Sequence, residues 1–314
     1  PGQTTGHNPI LEEGEHHYPF KFQLPEDLPT SYEGDHGHVR YQIKAVIDIP
    51  WKFNHITKRT ITVTADMDLN DEPQATVAQE SHDQKTICCL CCANGPIRAQ
   101  LKINRTGFVP GEYVMLTGEV DNQSRRPIEK NWIGLYAKTT FHSRTDHKTI
   151  WKKVSEIPRD GLEPGETDSF KGLSLHIPPL PPSKLQGCNL IDIAYFLKLI
   201  VDPSGPSMDL EIPIEIIIGT IPLKNTKGSF AKNSFALDKY QDEAWIEAVN
   251  LEEMEDERPP PLTFEQCVWG HRPMTVKKDR EEKNKTKANW APSYHYFSWG
   301  KNLADLDEED EQQD

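Results

Sequence analysis

The stretch GPIRAQLKINRTGFVPGEYVMLTGEVDN, residues 95–122, decides the fold class of this chain. Apolar and polar residues alternate twice within it, from Ile97 to Ile103 and again from Val114 to Val120. Strict alternation is typical of a strand with one buried face, because successive side chains point to opposite sides of a sheet. A turn containing Gly and Pro, RTGFVPGE, separates the two runs. The stretch therefore predicts two antiparallel strands of a β-sandwich and argues against a nucleotide-binding fold.

The same rhythm continues through residues 95–224. Further strand-like runs occur at residues 132–141, 148–155, 170–177, 191–201 and 210–218. Segments rich in Gly and Pro separate these runs, which is the spacing of an all-β sandwich. Residues 95–224 are predicted to form one complete sandwich domain.

Residues 1–78 contain fewer strand signals. Apolar residues alternate at 18–24, at 39–49 and more briefly at 61–63. Three strands are too few to bury both faces of a sandwich. We therefore expect an incomplete first sandwich that lacks its first strands, the more so because the sequence begins with Pro1 and not with Met. Residues 79–94 are polar and then cysteine-rich, and we expect a linker there.

Residues 225–314 have a different composition, acidic and rich in charge, and they end in LADLDEEDEQQD. Such a segment cannot bury enough apolar surface to offset the entropy lost when a chain becomes ordered. A largely disordered acidic tail is predicted. The 25 prolines and the hydrophobic content of 36% also indicate that part of the chain joins no core.

Bulk properties narrow the class of partner and the compartment. The net charge of −14 disfavours nucleic acid, whose phosphates repel an acidic protein. No run of about 18 apolar residues is present, so no transmembrane segment is expected. Four of the six cysteines are packed as CCLCC, unlike the spread framework of a secreted disulfide domain. These properties favour a cytoplasmic protein.

No motif in the sequence points to catalysis. A hydrolase needs a nucleophile, a base and an orienting group in one pocket, and neither a GxSxG elbow nor a metalloprotease helix is present. We therefore expect a protein that is not an enzyme and uses no cofactor or catalytic metal.

The cysteine cluster has three interpretations. Cys88, Cys89, Cys91 and Cys92 could be small residues of an interdomain strand, sites of S-acylation near a membrane, or zinc ligands. Zinc binding is the least favoured of the three, because four cysteines within five residues cannot easily place their sulfurs tetrahedrally around one ion. The basic pair Arg125 and Arg126 could contact an acidic cargo segment or lipid headgroups, or be an ordinary exposed loop pair.

Four longer sequence segments resemble those of a known protein family. They are GEHHYPFKFQLPEDLPTSYEGDHGHVRYQIKAVIDIPW, CCLCCANGPIRAQLKINRTGFVPGE, LHIPPLPPSKLQGCNLIDIAYFLKLIV and IPIEIIIGTIPL. In this order, across roughly residues 6–224, they resemble the α-arrestins, or arrestin-domain-containing proteins. The resemblance implies two arrestin-like β-sandwiches. It also implies an adaptor that connects membrane cargo to ubiquitin ligases, whose WW domains bind PPxY motifs in the tail.

The tail departs from that family pattern because it contains no strict Pro-Pro-x-Tyr. The nearest matches are APSY at 291–294 and PPPLTFEQCVWG at 259–270. WW domains stack aromatic rings on a proline and hold a tyrosine in a neighbouring groove. The candidate motif residues are Pro260, Pro261, Phe264, Pro292 and Tyr294. The tetrapeptide YHYF at 294–297 also fits the loose pattern of a tyrosine-based endocytic signal.

The sequence thus favours a non-enzymatic trafficking adaptor in the cytoplasm that is recruited to the plasma membrane or endosomes. Its expected partners are cytoplasmic segments of membrane receptors or transporters and WW-domain ubiquitin ligases, with peripheral membrane contact. The alternative is a regulatory or retromer-like binding protein without ligase recruitment, in which the cysteine cluster senses redox state.

Overall fold

The computed structural model describes residues 13–87, 95–224 and 292–297. In these ranges the regular structure is β-strand, apart from two short 3-10 turns at Leu69–Asp71 and Ser183–Leu185. The described residues include no helix long and apolar enough to span a bilayer. The predicted all-β class is confirmed.

The strands of the described ranges are numbered in chain order. They are β1 (Tyr32–Glu33), β2 (His38–Val39), β3 (Tyr41–Ile47), β4 (His55–Ile61), β5 (Gln79–Thr86), β6 (Pro96–Ile103), β7 (Gly107–Phe108), β8 (Tyr113–Asn122), β9 (Ile128–His142), β10 (His147–Arg159), β11 (Thr167–His176), β12 (Ile191–Pro203) and β13 (Leu210–Ile218).

Strands β5 to β13 form a sandwich of two sheets. One sheet has the order β10-β9-β12-β13-β7 and the other the order β11-β8-β6-β5. Side chains from both sheets form one continuous core, in which Leu101 and Leu116 of one sheet and Leu135 and Leu197 of the other are fully buried. Each strand run predicted between residues 95 and 224 lies in this sandwich.

The pair β6–β8 confirms the strands predicted from the opening stretch. The two strands are antiparallel, with Ile97 opposite Asn122 and Ile103 opposite Leu116. From Ile97 to Ile103 the apolar residues are at most 3% exposed, whereas the intervening polar residues face solvent. The alternation in the sequence is thus the alternation of buried and exposed side chains.

The turn between β6 and β8 is more than a hairpin turn. It contains β7, which pairs in parallel with β13 of the opposite sheet through Gly107 and Phe108. The backbone N–H groups of Ile217 and Gly219 also donate to the carbonyls of Thr106 and Phe108, at 2.8 and 2.9 Å. The RTGFVPGE segment therefore joins the two sheets, a role that its Gly and Pro residues alone did not reveal.

The linker expected at residues 79–94 begins differently in the structure. Residues 79–86 form β5, which pairs with β6 at the edge of the four-stranded sheet. Most of its side chains are exposed. An edge strand of this kind needs no apolar alternation, so its sequence, QESHDQKT, does not look like a strand. Residues 88–94, with the cysteine cluster, lie outside the described residues.

The amino-terminal region contains two small two-stranded sheets, β1–β2 and β3–β4. The run at 39–49 is confirmed as a strand by β3. The short run at 61–63 was misplaced, because β4 covers His55–Ile61 and residues 62–63 form no strand. The strand predicted at 18–24 is wrong, because these residues form no strand. Tyr18, Phe20 and Phe22 are 72–74% exposed, and no described strand pairs with this segment.

Several contacts connect this region to the sandwich, including those of Met67 and Tyr32. The backbone N–H of Met67 donates to Thr220 Oγ1 at 2.7 Å, and that of Thr220 donates to the Met67 carbonyl at 2.9 Å. Tyr32 enters the sandwich core, where it is 1% exposed and its hydroxyl lies 3.3 Å from Thr139 Oγ1. Burial raises the pKa of Tyr32 to about 12, so it stays neutral in the core.

Candidate functional site

Residues 292–297, here called the tail segment, lie in a groove between the amino-terminal region and the sandwich. We call this site the seam groove and define it by five lining residues, namely Ser31, Thr62, Pro110, Gly111 and His176. Within the tail segment Pro292 is buried and Tyr294 is 1% exposed. Part of the acidic tail therefore packs against the folded body.

The side chain of Tyr294 is almost completely buried in the seam groove. Its hydroxyl donates to the backbone carbonyl of Ser31 at 3.2 Å, which satisfies its polar end inside the groove. Next to it, the Ser293 N–H donates to Thr62 Oγ1 at 3.2 Å. The amino-terminal wall that receives this tyrosine is itself fixed, because Ser31 and Val63 exchange hydrogen bonds of 2.7 and 3.0 Å.

Phe297 binds the sandwich side of the groove. Its N–H donates to the Pro110 carbonyl at 3.0 Å. Its side chain packs against a small apolar cluster that consists of Leu69, Ala75, Val109 and Leu223, with Ile217 at its border. This cluster combines residues from both regions, so Phe297 covers the point where they meet.

Gly111 allows the backbone of the tail segment to come this close. Its φ of +98° lies in the left-handed region that glycine adopts without strain. A Cβ at this position would lie 2.0 Å from the carbonyl oxygen of Phe297. Glycine is thus needed here both for the turn and for the contact.

Tyr296 contacts a half-buried histidine, His176, at the end of β11. Its hydroxyl lies 3.0 Å from Nε2 of His176, and the His176 ring also packs against Tyr113 at 5.1 Å between centroids. Burial lowers the pKa of His176 and favours the neutral ring. Burial raises the pKa of Tyr296, with a smaller contribution from Tyr113. The pair therefore forms a neutral hydrogen bond.

A buried ion pair shapes the turn that carries Pro110 and Gly111. Arg105 and Glu112 are 6% and 0% exposed, and Nη2 of the arginine lies 3.0 Å from Oε1 of the glutamate. The other glutamate oxygen accepts the N–H of Val109 at 2.9 Å, and Arg105 Nη1 donates to the Gly107 carbonyl at 2.7 Å. These contacts fix the RTGFVPGE turn at both ends, and thereby the sandwich wall of the groove.

The candidate residues from the sequence have different positions. Pro292 and Tyr294 are together in the seam groove, as neighbours in one docked segment. Pro260, Pro261 and Phe264 lie outside the described residues, as does the cysteine cluster. The sequence did not point to Ser31, Thr62 or His176 as lining residues, because each is an ordinary polar residue of a strand or its flank.

The basic pair lies on the loop between β8 and β9. Arg125 is exposed, whereas Arg126 is partly buried and its guanidinium donates to the Ser204 carbonyl at 3.3 Å. Arg126 therefore holds this loop against the one that follows β12. A contact of the pair with cargo or lipid stays a prediction.

Comparison with known proteins gives two family matches. The family "Arrestin (or S-antigen), N-terminal domain" matches residues 2–70, and "Arrestin (or S-antigen), C-terminal domain" matches residues 93–223. The second match covers most of the sandwich, and the first covers the amino-terminal region up to the seam. Both walls of the seam groove thus come from matched domains.

Three curated relatives illustrate the similarity. Arrestin domain-containing protein 17 of Caenorhabditis elegans is 31% identical over 221 residues, which are 68% of this chain and 50% of that protein. Arrestin domain-containing protein 4 of Mus musculus is 31% identical over 255 residues, 80% of this chain and 59% of that protein. The human Thioredoxin-interacting protein is 28% identical over 219 residues, 68% and 55% of the two chains.

The chain spans 50–59% of the length of these relatives. The matched domains occur in the order amino-terminal then carboxy-terminal, as the quoted phrases had implied. On these grounds, this chain belongs to the arrestin-domain-containing, or α-arrestin, family.

Proposed function

We propose that the chain acts as a non-enzymatic trafficking adaptor that links membrane cargo to endocytic sorting or ubiquitin-ligase machinery. The observation that carries the proposal is the combination of two arrestin domains with a Pro-x-Tyr segment at 292–294 of the same chain. The domains would bind cargo, and the tail would supply the recruiting motif. The adaptor would work in the cytoplasm and be recruited to the plasma membrane or endosomes.

The cargo-binding arm would use the sheet edges of the sandwich. The outer strand β5 runs over eight residues, and its side chains are mostly exposed and polar. An extended cytoplasmic segment of a receptor or transporter could add to such an edge through backbone hydrogen bonds. Arg125, exposed on the β8–β9 loop, would favour an acidic cargo segment or anionic lipid headgroups.

The recruiting arm would use the prolines and aromatic residues of the tail. A WW domain recognises an extended proline segment together with a nearby tyrosine. Pro292 and Tyr294 have this spacing, and Pro261 with Phe264 is a second, weaker match. Recruitment through Pro292 and Tyr294 would require the tail segment to leave the seam groove, because both side chains are buried there.

A pull-down tests this arm. Residues 226–314 would be presented to a panel of WW domains and compared with a Tyr294→Ala, Phe264→Ala double variant. We expect the wild-type tail to retain at least one WW domain that the double variant loses. Equal retention by both tails would remove ligase recruitment from the proposal.

A second candidate function is regulatory binding under redox control without ligase recruitment, and it includes a retromer-like sorting role. The similarity to a protein named Thioredoxin-interacting protein favours the redox form of this candidate. The thiols at Cys88, Cys89, Cys91 and Cys92 would be the sensor. Rapid alkylation of these thiols at neutral pH, lost in serine variants, would support it. Alkylation no faster than that of an unfolded peptide of the same sequence would reject it.

A further inference from the structure

We propose that the seam groove is a specific binding site for extended peptides of the pattern Pro-x-Tyr-x-Tyr-Phe, with the tail segment as its resident occupant. The ligand is a peptide without Asp, Glu, Lys or Arg that binds through aromatic side chains. The groove would also bind such a peptide when it belongs to a second molecule. The inference rests on the contacts of residues 292–297 and does not depend on the partners proposed above.

The aromatic side chains of the segment occupy distinct parts of the groove. Tyr294 is buried against the amino-terminal wall, Tyr296 contacts His176, and Phe297 packs on the apolar cluster at the border. The hydroxyls of both tyrosines have hydrogen-bond partners, at 3.2 and 3.0 Å. A buried tyrosine without such a partner would lose much of the gain from its burial. This pairing is what gives the groove sequence specificity.

The groove also holds the peptide backbone. The N–H groups of Ser293 and Phe297 donate to Thr62 Oγ1 and to the Pro110 carbonyl, four residues apart on the segment. At the second point the backbone runs against Gly111, where there is no room for a Cβ. The ring of Pro292 fixes the φ of that residue, which lowers the entropy lost when the start of the segment docks. The site therefore fits a peptide strand.

The chemistry of the tail segment supports recognition by shape and hydrogen bonding rather than by charge. Residues 292–297, PSYHYF, contain no Asp, Glu, Lys or Arg. The flanking tail is highly charged, with KKDREEKNKTK at 277–287 and DEEDEQQD at 307–314. Binding should accordingly depend little on salt concentration.

An occupied groove would link the two matched domains and withhold the tail motif. The walls come from residues 31 and 62 on one side and 110 and 176 on the other, so one peptide contacts both domains. The same Pro292 and Tyr294 side chains would be needed by any module that reads Pro-x-Tyr. Docking in the groove and capture by such a module would therefore exclude each other.

Binding of a labelled peptide to the full chain tests the proposal. The probe is a fluorescent peptide with the sequence of residues 290–299, WAPSYHYFSW. In the Tyr294→Ala chain the tail segment binds the groove more weakly and competes less with the probe. We therefore expect the probe to bind this chain at least about tenfold more tightly than the wild-type chain, a difference of about 1.4 kcal/mol. A probe in which alanine replaces the tyrosine that corresponds to Tyr294 should lose that gain.

A variant of the groove provides the second arm, in the Tyr294→Ala background. Gly111→Ala should abolish probe binding, because the new Cβ would meet the peptide backbone. Gly165→Ala is the matched control, since Gly165 also has a positive φ, +86°, but has nothing within 4 Å of its Cβ position. Both substitutions place alanine at a positive φ and so strain the backbone, but only Gly111→Ala adds an atom to the groove.

Equal probe binding by the wild-type and Tyr294→Ala chains, or by the Gly111→Ala and Gly165→Ala chains, would overturn the proposal. If Gly111→Ala does not fold, as judged by circular dichroism, His176→Phe replaces it and should weaken the probe several-fold through loss of the Tyr296 bond. Failure of the WW-domain pull-down would leave these results unaffected, so the two proposals can fail independently.

Discussion

The strand pairs β3–β4 and β6–β8 differ sharply in burial, although both include apolar residues at alternate positions. In β6–β8, Leu101, Ile103 and Leu116 are 0–1% exposed. In β3, Ile43 and Ile47 are 40% and 51% exposed, and the loop that follows carries Trp51 at 104%. The two pairs are antiparallel hairpin-like units of similar hydrogen bonding.

The difference in burial arises from the sheet that packs against one pair and not the other. The five-stranded sheet covers the apolar face of β6–β8, whereas no described sheet covers β3–β4. A sheet buries its apolar face only when another element packs against it. Alternation in this chain therefore predicts strand formation, whereas burial depends on a partner distant in sequence. Three experiments test this difference.

The largest difference in unfolding free energy is expected when one ion pair is broken in the sandwich and another in the amino-terminal region. Glu112→Ala leaves the charge of Arg105 buried and should cost about 3–5 kcal/mol of unfolding free energy. Glu33→Ala breaks the partly buried pair with Arg40, in which the Arg40 side chain is 22% and the Glu33 side chain 16% exposed, and should cost less, about 1–2 kcal/mol, because water still reaches the arginine that is left unpaired. Urea denaturation followed by circular dichroism measures both. Similar losses for the two variants would contradict the contrast between a sealed and an open region.

Core truncation should give the next largest difference. Leu101→Ala removes a fully buried side chain and should cost about 2–5 kcal/mol, because the closely packed core cannot fill the cavity. Ile43→Ala, at a position 40% exposed, should cost less than about 1 kcal/mol. The same denaturation experiment serves as the measurement. A loss at Ile43 as large as at Leu101 would mean that β3 is covered in solution.

The smallest effect concerns pH at the groove between the two regions. Burial lowers the pKa of His176 below its ordinary value of 6.5. If the tail segment contributes to that burial, its release raises this pKa and the released state binds more protons. Docking should then be unchanged above about pH 6.5 and weaken as the pH falls below it, by less than about tenfold.

Probe binding to the Tyr294→Ala chain between about pH 5.5 and pH 7.5 measures this dependence. His176→Gln is the control, because glutamine can still hydrogen-bond with Tyr296 but does not titrate. The dependence should disappear in that variant. Tighter binding at the lower pH would reverse the predicted sign and place a different group in control.

Much of the sandwich could be predicted from local sequence, and much of the groove could not. The strands of the sandwich with a regular apolar alternation, such as β6 and β12, were predicted, whereas β5 was not because both its faces are polar. The run at 18–24 shows the converse, since its alternation lacks a neighbouring strand in the described structure. The tail segment was singled out as a motif, but its docking was not predicted, because its six uncharged residues lie within an acidic segment many times longer.

The all-β class, the strands between residues 95 and 224 and the family resemblance could all be predicted from the amino-acid sequence. These properties follow from side-chain alternation and local motifs, which act over a few neighbouring residues. The exposure of β3–β4 and the burial of Tyr294 beside Ser31, 263 positions away, became visible only in the three-dimensional structure. Burial and a groove need surfaces from distant parts of the chain, and their pairing is not written in any local pattern. The segment that resembled a recruiting motif is therefore packed between the amino-terminal region and the sandwich in the folded protein.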